Sequence, residues 1–178
     1  MSSTALSAVL IGPMAAGKTA VGRELARRRG EPFADLDTLI VETDGRTIPQ
    51  IFAEDGEGCF RDLEARLLAD ALATRTGVLS LGGGAPVRPE SAALLRGLPV
   101  VLLRVDEETV ATRLRRTQDR PMLVGEDPMQ RWRDITAERM PHYRDVARWV
   151  VDTHRQPPAA LARRIHDLIR EDPPKETA

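Results

Sequence analysis

Short apolar runs alternate along this chain with longer segments in which apolar residues recur every three or four positions. Runs this short, without regular polar alternation, are typical of strands buried on both faces of a parallel sheet. The predicted strands are Ser7 to Ile11, Phe33 to Leu36, Val78 to Leu81, Val100 to Val105 and Trp149 to Asp152. The pattern therefore indicates five strands separated by helices.

Helical spacing and end signals predict the connecting segments. Thr47 is suited to an N-cap with Pro49 in the first turn that follows, and Gly30 is suited to end the first helix. The predicted helices are Lys18 to about Arg29, Asp37 or Thr38 to about Thr43, Thr47 to about Gly56, Gly58 to Arg75, Pro89 to Arg96, Asp106 to about Arg116, Met129 to Met140 and Pro158 to about Ile169. In the fourth of these, Phe60, Leu63, Leu67 and Ala71 are expected to face a core, and Arg61 and Glu64 another side.

This alternation predicts an α/β fold, a three-layer α/β/α sandwich around a five-stranded parallel sheet with right-handed crossovers. Residues 1–170 are expected to form one domain. The polar segment Thr117 to Pro128 interrupts the pattern and is expected to be an exposed, mobile lid. Residues 171–178, which contain Pro173 and Pro174, are expected to be a disordered tail.

Composition narrows the possible partners. The chain has 178 residues, 42% hydrophobic and 30% charged, with a formal net charge of -1, so no basic excess indicates nucleic acid. Cys59 is the only cysteine, which excludes an internal disulfide, and we expect it to be a small buried apolar residue. Without a long apolar span or secretion pattern, no membrane partner is expected, and the prediction is a cytoplasmic protein. It is also expected to be a monomer, because no exposed apolar stripe is evident.

The most informative segment follows the first strand and precedes the first helix. It reads Gly12-Pro13-Met14-Ala15-Ala16-Gly17-Lys18-Thr19. Glycines at both ends let the backbone aim its N–H groups at an anion, and the helix N-terminus favours negative charge. Lys18 would reach the β- and γ-phosphates of a nucleotide, and the Thr19 hydroxyl would bind Mg²⁺. The segment is therefore a predicted phosphate-binding loop.

Other polar groups are expected to meet this loop at the carboxyl ends of the parallel strands. Asp35 and Asp37 end the second strand, where they suit a metal ion and a substrate hydroxyl. The glycine triplet Gly82-Gly83-Gly84 ends the third strand and permits close approach of a ligand. Arginines on separate helices suit a bidentate grip on a carboxylate or phosphate. With Arg61, Arg120 and Arg139, these groups describe a site for a small acid that bears hydroxyl groups.

As a set, these motifs make the chain resemble the shikimate kinase family from the phosphate loop to the last helix. The residues that carry the resemblance are Gly12 to Thr19, Asp35-Leu36-Asp37, Ile51-Phe52 through Gly56-Glu57, Phe60-Arg61 and Glu64, Gly82-Gly83-Gly84, Arg120-Pro121-Met122-Leu123, and Arg139 with Pro141 and Tyr143. The resemblance implies a P-loop kinase fold and transfer of the γ-phosphoryl group of ATP to the 3-hydroxyl of shikimate.

The resemblance also implies roles for individual positions. Asp37, Arg61, Arg139 and the triplet Gly82 to Gly84 match the shikimate site, with the arginines on the carboxylate and Asp37, the candidate base, on the ring hydroxyls. Gly12 to Thr19 match the ATP phosphate site, Thr19 and Asp35 the Mg²⁺ site, and Arg120 the lid arginine that completes the catalytic set with Lys18 and Asp37. Arg116 and Arg155 are similar to residues near the adenine.

Two features depart from the family pattern. Ala15 stands where these kinases usually have glycine, so a positive φ at this position would strain or shift the loop. Met122 replaces the more usual leucine of the lid motif, a swap that conserves volume.

Several alternatives remain open from the sequence. Arg116 and Arg155 could equally be solvated surface charges, and Trp132 and Trp149 are expected to be packing residues. A gluconate or nucleoside monophosphate kinase would have a similar build, although Phe60-Arg61 and the glycine triplet argue against both. A regulatory nucleotide-binding module would be expected to lose Asp37 or Arg120, and the chain retains both residues.

Overall fold

The computed structural model describes residues 6–114 and 127–172, and its strands form one parallel sheet. The strand order is β2-β3-β1-β4-β5. The strands are β1 (Leu6–Ile11), β2 (Phe33–Asp35), β3 (Gly77–Ser80), β4 (Val100–Arg104) and β5 (Trp149–Asp152). The predicted five-stranded parallel sheet is confirmed.

Helices cover both faces of this sheet. They are α1 (Lys18–Arg29), α2 (Leu36–Asp44), α3 (Ile48–Thr74), α4 (Pro89–Leu95), α5 (Glu107–Leu114), α6 (Pro128–Val146) and α7 (Pro158–Glu171), with a short 3₁₀ helix at Ala85–Val87. One hydrophobic core contains buried residues of α2, α3, α4 and the end of α6, and a second core contains those of α1, α5, α7 and the start of α6. The predicted three-layer sandwich is therefore also confirmed.

The central strands supply side chains to both cores. In β1, Val9 and Ile11 pack into the first core, whereas Ala8 and Leu10 pack into the second. Side chains of a strand alternate between its two faces, so a strand covered on both sides needs apolar residues at every position. This requirement explains the unbroken apolar runs in the sequence.

The two helices predicted from Thr47 to Arg75 meet without a loop. The chain continues as α3 through Gly56, whose φ of 83° and ψ of 170° form a kink. At the start of α3, Thr47 and Gln50 cap each other reciprocally, as the N-cap prediction required. After the kink, Phe60 and Ala71 are buried in the first core and Leu63 and Leu67 pack against it, as predicted. Glu64, which was expected on another side, is buried as well.

Two predicted helix ends are wrong, in both cases because the helix is longer. α6 continues through Pro141 to Val146. A proline inside a helix costs about 3 kcal/mol, and the burial of Tyr143 and Val146 beyond it opposes that cost. α7 reaches Glu171, and Asp172 accepts hydrogen bonds from Arg148 at 2.5 and 3.0 Å. The first two residues of the expected tail thus belong to the fold, while residues 173–178 lie outside the described part.

The prediction for Cys59 is wrong, and the prediction for the two tryptophans is confirmed. The expectation that Cys59 is buried is wrong, because it lies on the exposed side of α3. The packing role expected of the tryptophans is confirmed, since Trp132 is 5% exposed and Trp149 packs against the second core. No helix in the described parts of the chain is both long and apolar enough to cross a membrane.

Gly77, at the start of β3, provides a test of this packing. It has a φ of 82°, and a Cβ atom there would lie 2.3 Å from the Pro32 carbonyl oxygen, whereas Gly97 has a φ of 83° with nothing within 4 Å. Gly97→Ala should cost about 1 kcal/mol of unfolding free energy from backbone strain alone. Gly77→Ala should cost about 1 to 3 kcal/mol more than Gly97→Ala, because the β2–β3 contact must open. Equal losses in denaturant unfolding would contradict the close packing.

Candidate functional site

A cleft of about 1060 Å³ lies at the carboxyl ends of β1, β2 and β3. Its walls come from the segments that directly follow these strands, and from α3 and α6. Parallel sheets bind ligands at this edge because the strand ends and helix N-termini converge there. Of the predicted site residues, the cleft is lined by Pro13 to Thr19, Asp35, Asp37, Arg61, Gly82 to Gly84 and Arg139.

The phosphate-binding loop forms one end of the cleft. Lys18 Nζ donates to the carbonyl oxygens of Gly12 and Pro13, both at 2.9 Å. Gly12 itself lies at the base of the loop, where a Cβ atom would be 2.4 Å from the Leu103 carbonyl oxygen. The close approach of β1 and β4 therefore requires glycine at this position. The lysine ammonium lies where phosphate oxygens could replace the two carbonyls.

Ala15, the departure noted in the sequence, has a φ of 66°. The left-handed region favours glycine, so the expectation of strain at this position is confirmed. The carbonyls on either side are held by side chains outside the loop. Trp132 Nε1 donates to the Met14 carbonyl at 3.1 Å, and Arg113 Nη1 donates to the Ala15 carbonyl at 2.5 Å.

Thr19 and Asp35 form a pair of oxygen donors beside the loop. Thr19 Oγ1 donates to Asp35 Oδ2 at 2.7 Å. Residues 6–114 and 127–172 contain no cluster of three or more His, Cys, Asp or Glu side chains that could hold a metal ion. Mg²⁺ at phosphate sites commonly has only one or two protein ligands and completes its shell with water and phosphate oxygens. The donor set therefore fits Mg²⁺ bound together with a nucleotide.

Asp37 occupies the first turn of α2, between the loop and the glycine triplet. Asp35, the N-cap of this helix, accepts a hydrogen bond from the Asp37 backbone N–H at 3.1 Å. Burial raises the pKa of Asp37, and the Asp35 carboxylate raises it further. Lys18 and Arg61 oppose this shift in the pKa. Asp37 is thus a carboxylate near two cations, in surroundings that strengthen its hold on a proton.

Arg61 and Glu64 form a largely buried ion pair on α3. Arg61 Nη1 donates to Glu64 Oε2 at 2.7 Å, and the Glu64 residue is only 2% exposed. Burial raises the pKa of Glu64, whereas the Arg61 guanidinium lowers it. Arg61 also lies over the ring of Phe60, 5.1 Å from its centroid. These contacts fix the direction of the guanidinium at the cleft wall.

The glycine triplet brings Arg61, Arg139 and Asp37 together. A Cβ atom on Gly84 would lie 2.2 Å from Arg61 Nη1, and one on Gly82 would lie 2.8 Å from Asp37 Oδ1. The position of a Cβ on Gly83 is 3.5 Å from both Arg139 Nη1 and the Gly12 carbonyl oxygen. The absence of side chains therefore lets two guanidinium groups and Asp37 gather beside the phosphate loop.

Tyr143, on α6, holds the glycine triplet through a hydrogen bond to its backbone. Its hydroxyl donates to the Gly83 carbonyl at 2.6 Å and also interacts with Arg139. The side chain is fully buried, and burial raises the pKa of Tyr143 to about 12. The hydroxyl is therefore neutral at physiological pH and available as a donor.

Two predicted site residues, Arg116 and Arg120, lie outside the described residues, as does most of the expected lid. Arg155 is described, but its side chain is 70% exposed, pairs with Glu108 at 3.0 Å and does not line the cleft. The neighbouring residue Gln156 lines the cleft instead.

Sequence reasoning missed several cleft residues. They are Arg113, Trp132, Ile135, Thr136 and Gln156, and Tyr143 was named only as part of a motif, with no role. Arg113 lies three positions before Arg116 on the same predicted helix, so the two residues share a face of that helix. Arg113 could therefore have been inferred as a cleft residue together with Arg116. Trp132 and Tyr143 lie 7 positions before and 4 positions after Arg139, which places all three on one face of α6.

The chain matches a family model described as shikimate kinase over residues 14–170. The curated shikimate kinase of Saccharopolyspora erythraea is 43% identical over 165 residues, which cover 93% of this chain and 94% of the relative. The shikimate kinase of Mycobacterium tuberculosis is 41% identical over 171 residues, which cover 96% of this chain and 97% of the relative.

A solved structure supports the same assignment. Shikimate kinase from Acinetobacter baumannii, in complex with shikimate, superposes with a TM-score of 0.90 at 37% identity, and the match covers 97% of each chain. The match includes the sheet and the segments that form the cleft. On sequence and structure together, the chain belongs to the shikimate kinase family.

Proposed function

We propose that the protein transfers the γ-phosphoryl group of ATP to the 3-hydroxyl of shikimate, giving shikimate 3-phosphate and ADP for aromatic amino acid biosynthesis. One observation carries this proposal beyond family membership. Arg61, Arg139 and Asp37 meet on a glycine triplet that contacts the phosphate-binding loop. A carboxylate clamp and a hydroxyl acceptor group therefore lie next to the site of the phosphoryl donor.

The donor end of the cleft binds the phosphates of ATP. The loop amides and Lys18 hold the phosphate oxygens, and Lys18 exchanges its two carbonyl partners for them when ATP binds. Thr19 and Asp35 would hold Mg²⁺ beside the loop. That ion would supply positive charge to the phosphate oxygens of ATP.

The acceptor end binds shikimate by charge and by shape. Arg61 and Arg139 bind its carboxylate, which fixes the direction of the ring. The apolar side chains of Ile48, Phe52 and Phe60 line the cleft beside these arginines and cover the ring. Backbone groups of the glycine triplet then lie within reach of the substrate.

Asp37 accepts a hydrogen bond from the 3-hydroxyl and aims its oxygen at the γ-phosphorus. Phosphoryl transfer passes through a loose transition state that demands little deprotonation of the nucleophile. Asp37 therefore acts chiefly by orientation and accepts the proton as the new bond completes. Arg120, which we assign to the lid, stabilises the charge of the transferring group, and Arg116 stays assigned to the surroundings of the adenine.

Near the base of the nucleotide, we assign the side-chain contact to Gln156 instead of Arg155. Gln156 lines the cleft, while Arg155 is held by Glu108 on the surface.

We further propose that the protein is a cytoplasmic monomer. In the described parts of the chain, Leu94 and Val150 are the exposed large apolar residues, each 47% exposed. They do not form the contiguous apolar patch that an obligate interface requires.

An acceptor panel tests the function directly. ADP release from ATP and Mg²⁺ should require shikimate, and should stay at the acceptor-free level with gluconate or nucleoside monophosphates. The reason is that only shikimate combines a carboxylate for the arginines with a ring hydroxyl at Asp37. Release with gluconate in place of shikimate would assign the cleft to another small-molecule kinase.

Arg139→Ala tests the carboxylate clamp. The loss of a charge-assisted bidentate contact should raise the KM for shikimate about 10- to 100-fold and leave the KM for ATP within about twofold. Arg96→Ala is the matched control, because Arg96 is 57% exposed and pairs with Asp145 on the surface. Arg61→Ala is a less direct probe, since it would leave Glu64 buried without its cation. An unchanged KM for shikimate in Arg139→Ala would remove this residue from the clamp.

Asp37→Asn should separate activity from stability. We expect kcat to fall about 100-fold or more, because the neutral amide orients the 3-hydroxyl less firmly and cannot accept its proton as the new bond completes. A carboxyl group whose pKa is raised by folding stabilises the protein most below its unfolded pKa, and this stability is lost as pH rises through the folded pKa.

At pH 7, the unliganded Asp37→Asn variant should therefore unfold at a higher temperature than the unsubstituted protein. This difference in unfolding temperature should shrink as the pH falls toward about 4. Asp145→Asn, at an exposed position, should change neither activity nor this pH dependence. A lower unfolding temperature for Asp37→Asn at pH 7 would show that its carboxylate is stabilised by its surroundings.

A further inference from the structure

The phosphate-binding loop contains a strained residue, Ala15, which lies in a turn closed by one long hydrogen bond from the Ala16 N–H to the Pro13 carbonyl, at 3.3 Å. Ala15 has a φ of 66°, a conformation that costs a residue with a Cβ atom about 1 to 2 kcal/mol relative to glycine. Such a conformation persists only where surrounding contacts enforce it. Contacts from elsewhere in the fold add to the long hydrogen bond that closes the turn.

Those contacts are the hydrogen bonds to the two carbonyls that flank Ala15. The Met14 carbonyl accepts from Trp132 Nε1 of α6, and the Ala15 carbonyl accepts from Arg113 Nη1 of α5. These peptide units are trans, so fixing a carbonyl also fixes the N–H of the next residue, which points the opposite way. Holding the Met14 carbonyl on the outside directs the Ala15 N–H away from the indole, while the Ala16 N–H donates to the Pro13 carbonyl within the turn.

We propose that Trp132 is a positioning residue of the phosphate-binding loop, which keeps Ala15 left-handed so that the loop amides are preset for a nucleotide phosphate. The inference rests on the proposed use of ATP and adds a residue outside the loop to the nucleotide site. Successive N–H groups held in this way form a concave anion site. The benefit is preorganisation, since the ordering cost is met before the nucleotide binds.

Trp132 is better suited to this task than a flexible side chain. It is 5% exposed and packs in the second core with Val21 and Leu161, so its ring has little freedom to move. The indole N–H is a donor with a single direction, whereas the guanidinium of Arg113 has several donors on a long chain. Trp132 therefore fixes one carbonyl in place.

The simpler explanation is that a buried indole N–H has merely found the nearest acceptor. The two explanations differ in one respect. If Trp132 holds Ala15 against strain, then glycine at position 15, which adopts this φ without strain, should reduce the need for Trp132. If Trp132 only packs, its loss should cost the same with either residue at position 15.

Trp132→Phe and Trp149→Phe form a matched pair for the first measurement. Titration calorimetry with Mg²⁺ and ATP should give a Kd raised about tenfold in Trp132→Phe, from the loss of one hydrogen bond and the loop order that depends on it. Trp149→Phe, on the edge strand β5, should bind as the unsubstituted protein does. The KM for shikimate should stay within about twofold in both variants. Normal ATP binding by Trp132→Phe would overturn the proposal.

A double-mutant cycle with Ala15→Gly supplies the decisive comparison. In the Ala15→Gly background, Trp132→Phe should raise the Kd for ATP by about twofold or less, instead of about tenfold. The same loss in both backgrounds would reduce Trp132 to a packing residue and overturn the proposal. This cycle measures binding, so it remains valid if the protein binds ATP but phosphorylates none of the acceptors, the outcome that would refute the proposed function.

A second measurement applies even if Trp132→Phe does not fold. Trp132 and Trp149 are the two tryptophans of the chain, so Trp149→Phe leaves Trp132 as the sole indole fluorophore. Its emission should change saturably as ATP and Mg²⁺ are added, because phosphate binding alters the peptide unit to which the indole N–H is bonded. Emission that does not respond while calorimetry records binding would overturn the proposal.

Discussion

The hydrogen-bonded pairing of β3 between β1 and β2 is the constraint on which the site depends. Parallel pairing aligns the carboxyl ends of these strands, so the phosphate-binding loop, Asp35 and the glycine triplet emerge side by side. The pairing in turn requires strands that are apolar on both faces, because helices cover both sides of the sheet. The apolar residues of the strands thus determine where the phosphate-binding loop, Asp35 and the glycine triplet come together, although these apolar residues take no part in the site's chemistry.

This dependence explains why much of the fold and site could be predicted from the sequence. The buried strands appear as unbroken apolar runs, and residues directly after them had to meet at one edge of the sheet. The rule that a helix ends before a proline failed at Pro141, because tertiary packing of the residues beyond the proline maintains α6. They also failed at Cys59, because a residue type that is usually buried can lie on the outer side of a helix whose inner side is already filled by Phe60 and Leu68.

The residues that sequence reasoning missed act on the site from outside its motifs. Trp132 and Tyr143 contact backbone carbonyls, and no sequence pattern encodes which carbonyl a buried donor will meet. Both lie on α6 with Arg139, and this helix packs at its start in one core and at its end in the other. A single helix therefore contacts both the phosphate loop and the glycine triplet beside the proposed carboxylate clamp. About 10 Å of helix, the rise of seven residues, separates Trp132 from Arg139.

The contact between Gly84 and Arg61 restricts how the cleft can change. Any side chain at Gly84 would displace the guanidinium, whose Nη1 atom is also held by Glu64. The charged half of the acceptor site is thus enclosed by backbone and by a buried carboxylate, and point substitutions there disturb the whole clamp. The other half consists of apolar side chains on α2 and α3, such as Val41 and Phe52, whose volumes can vary independently. Substitutions among these apolar side chains could therefore let the fold accept substrates with a differently shaped ring. The requirement that the substrate carry an anionic group would remain almost unchanged.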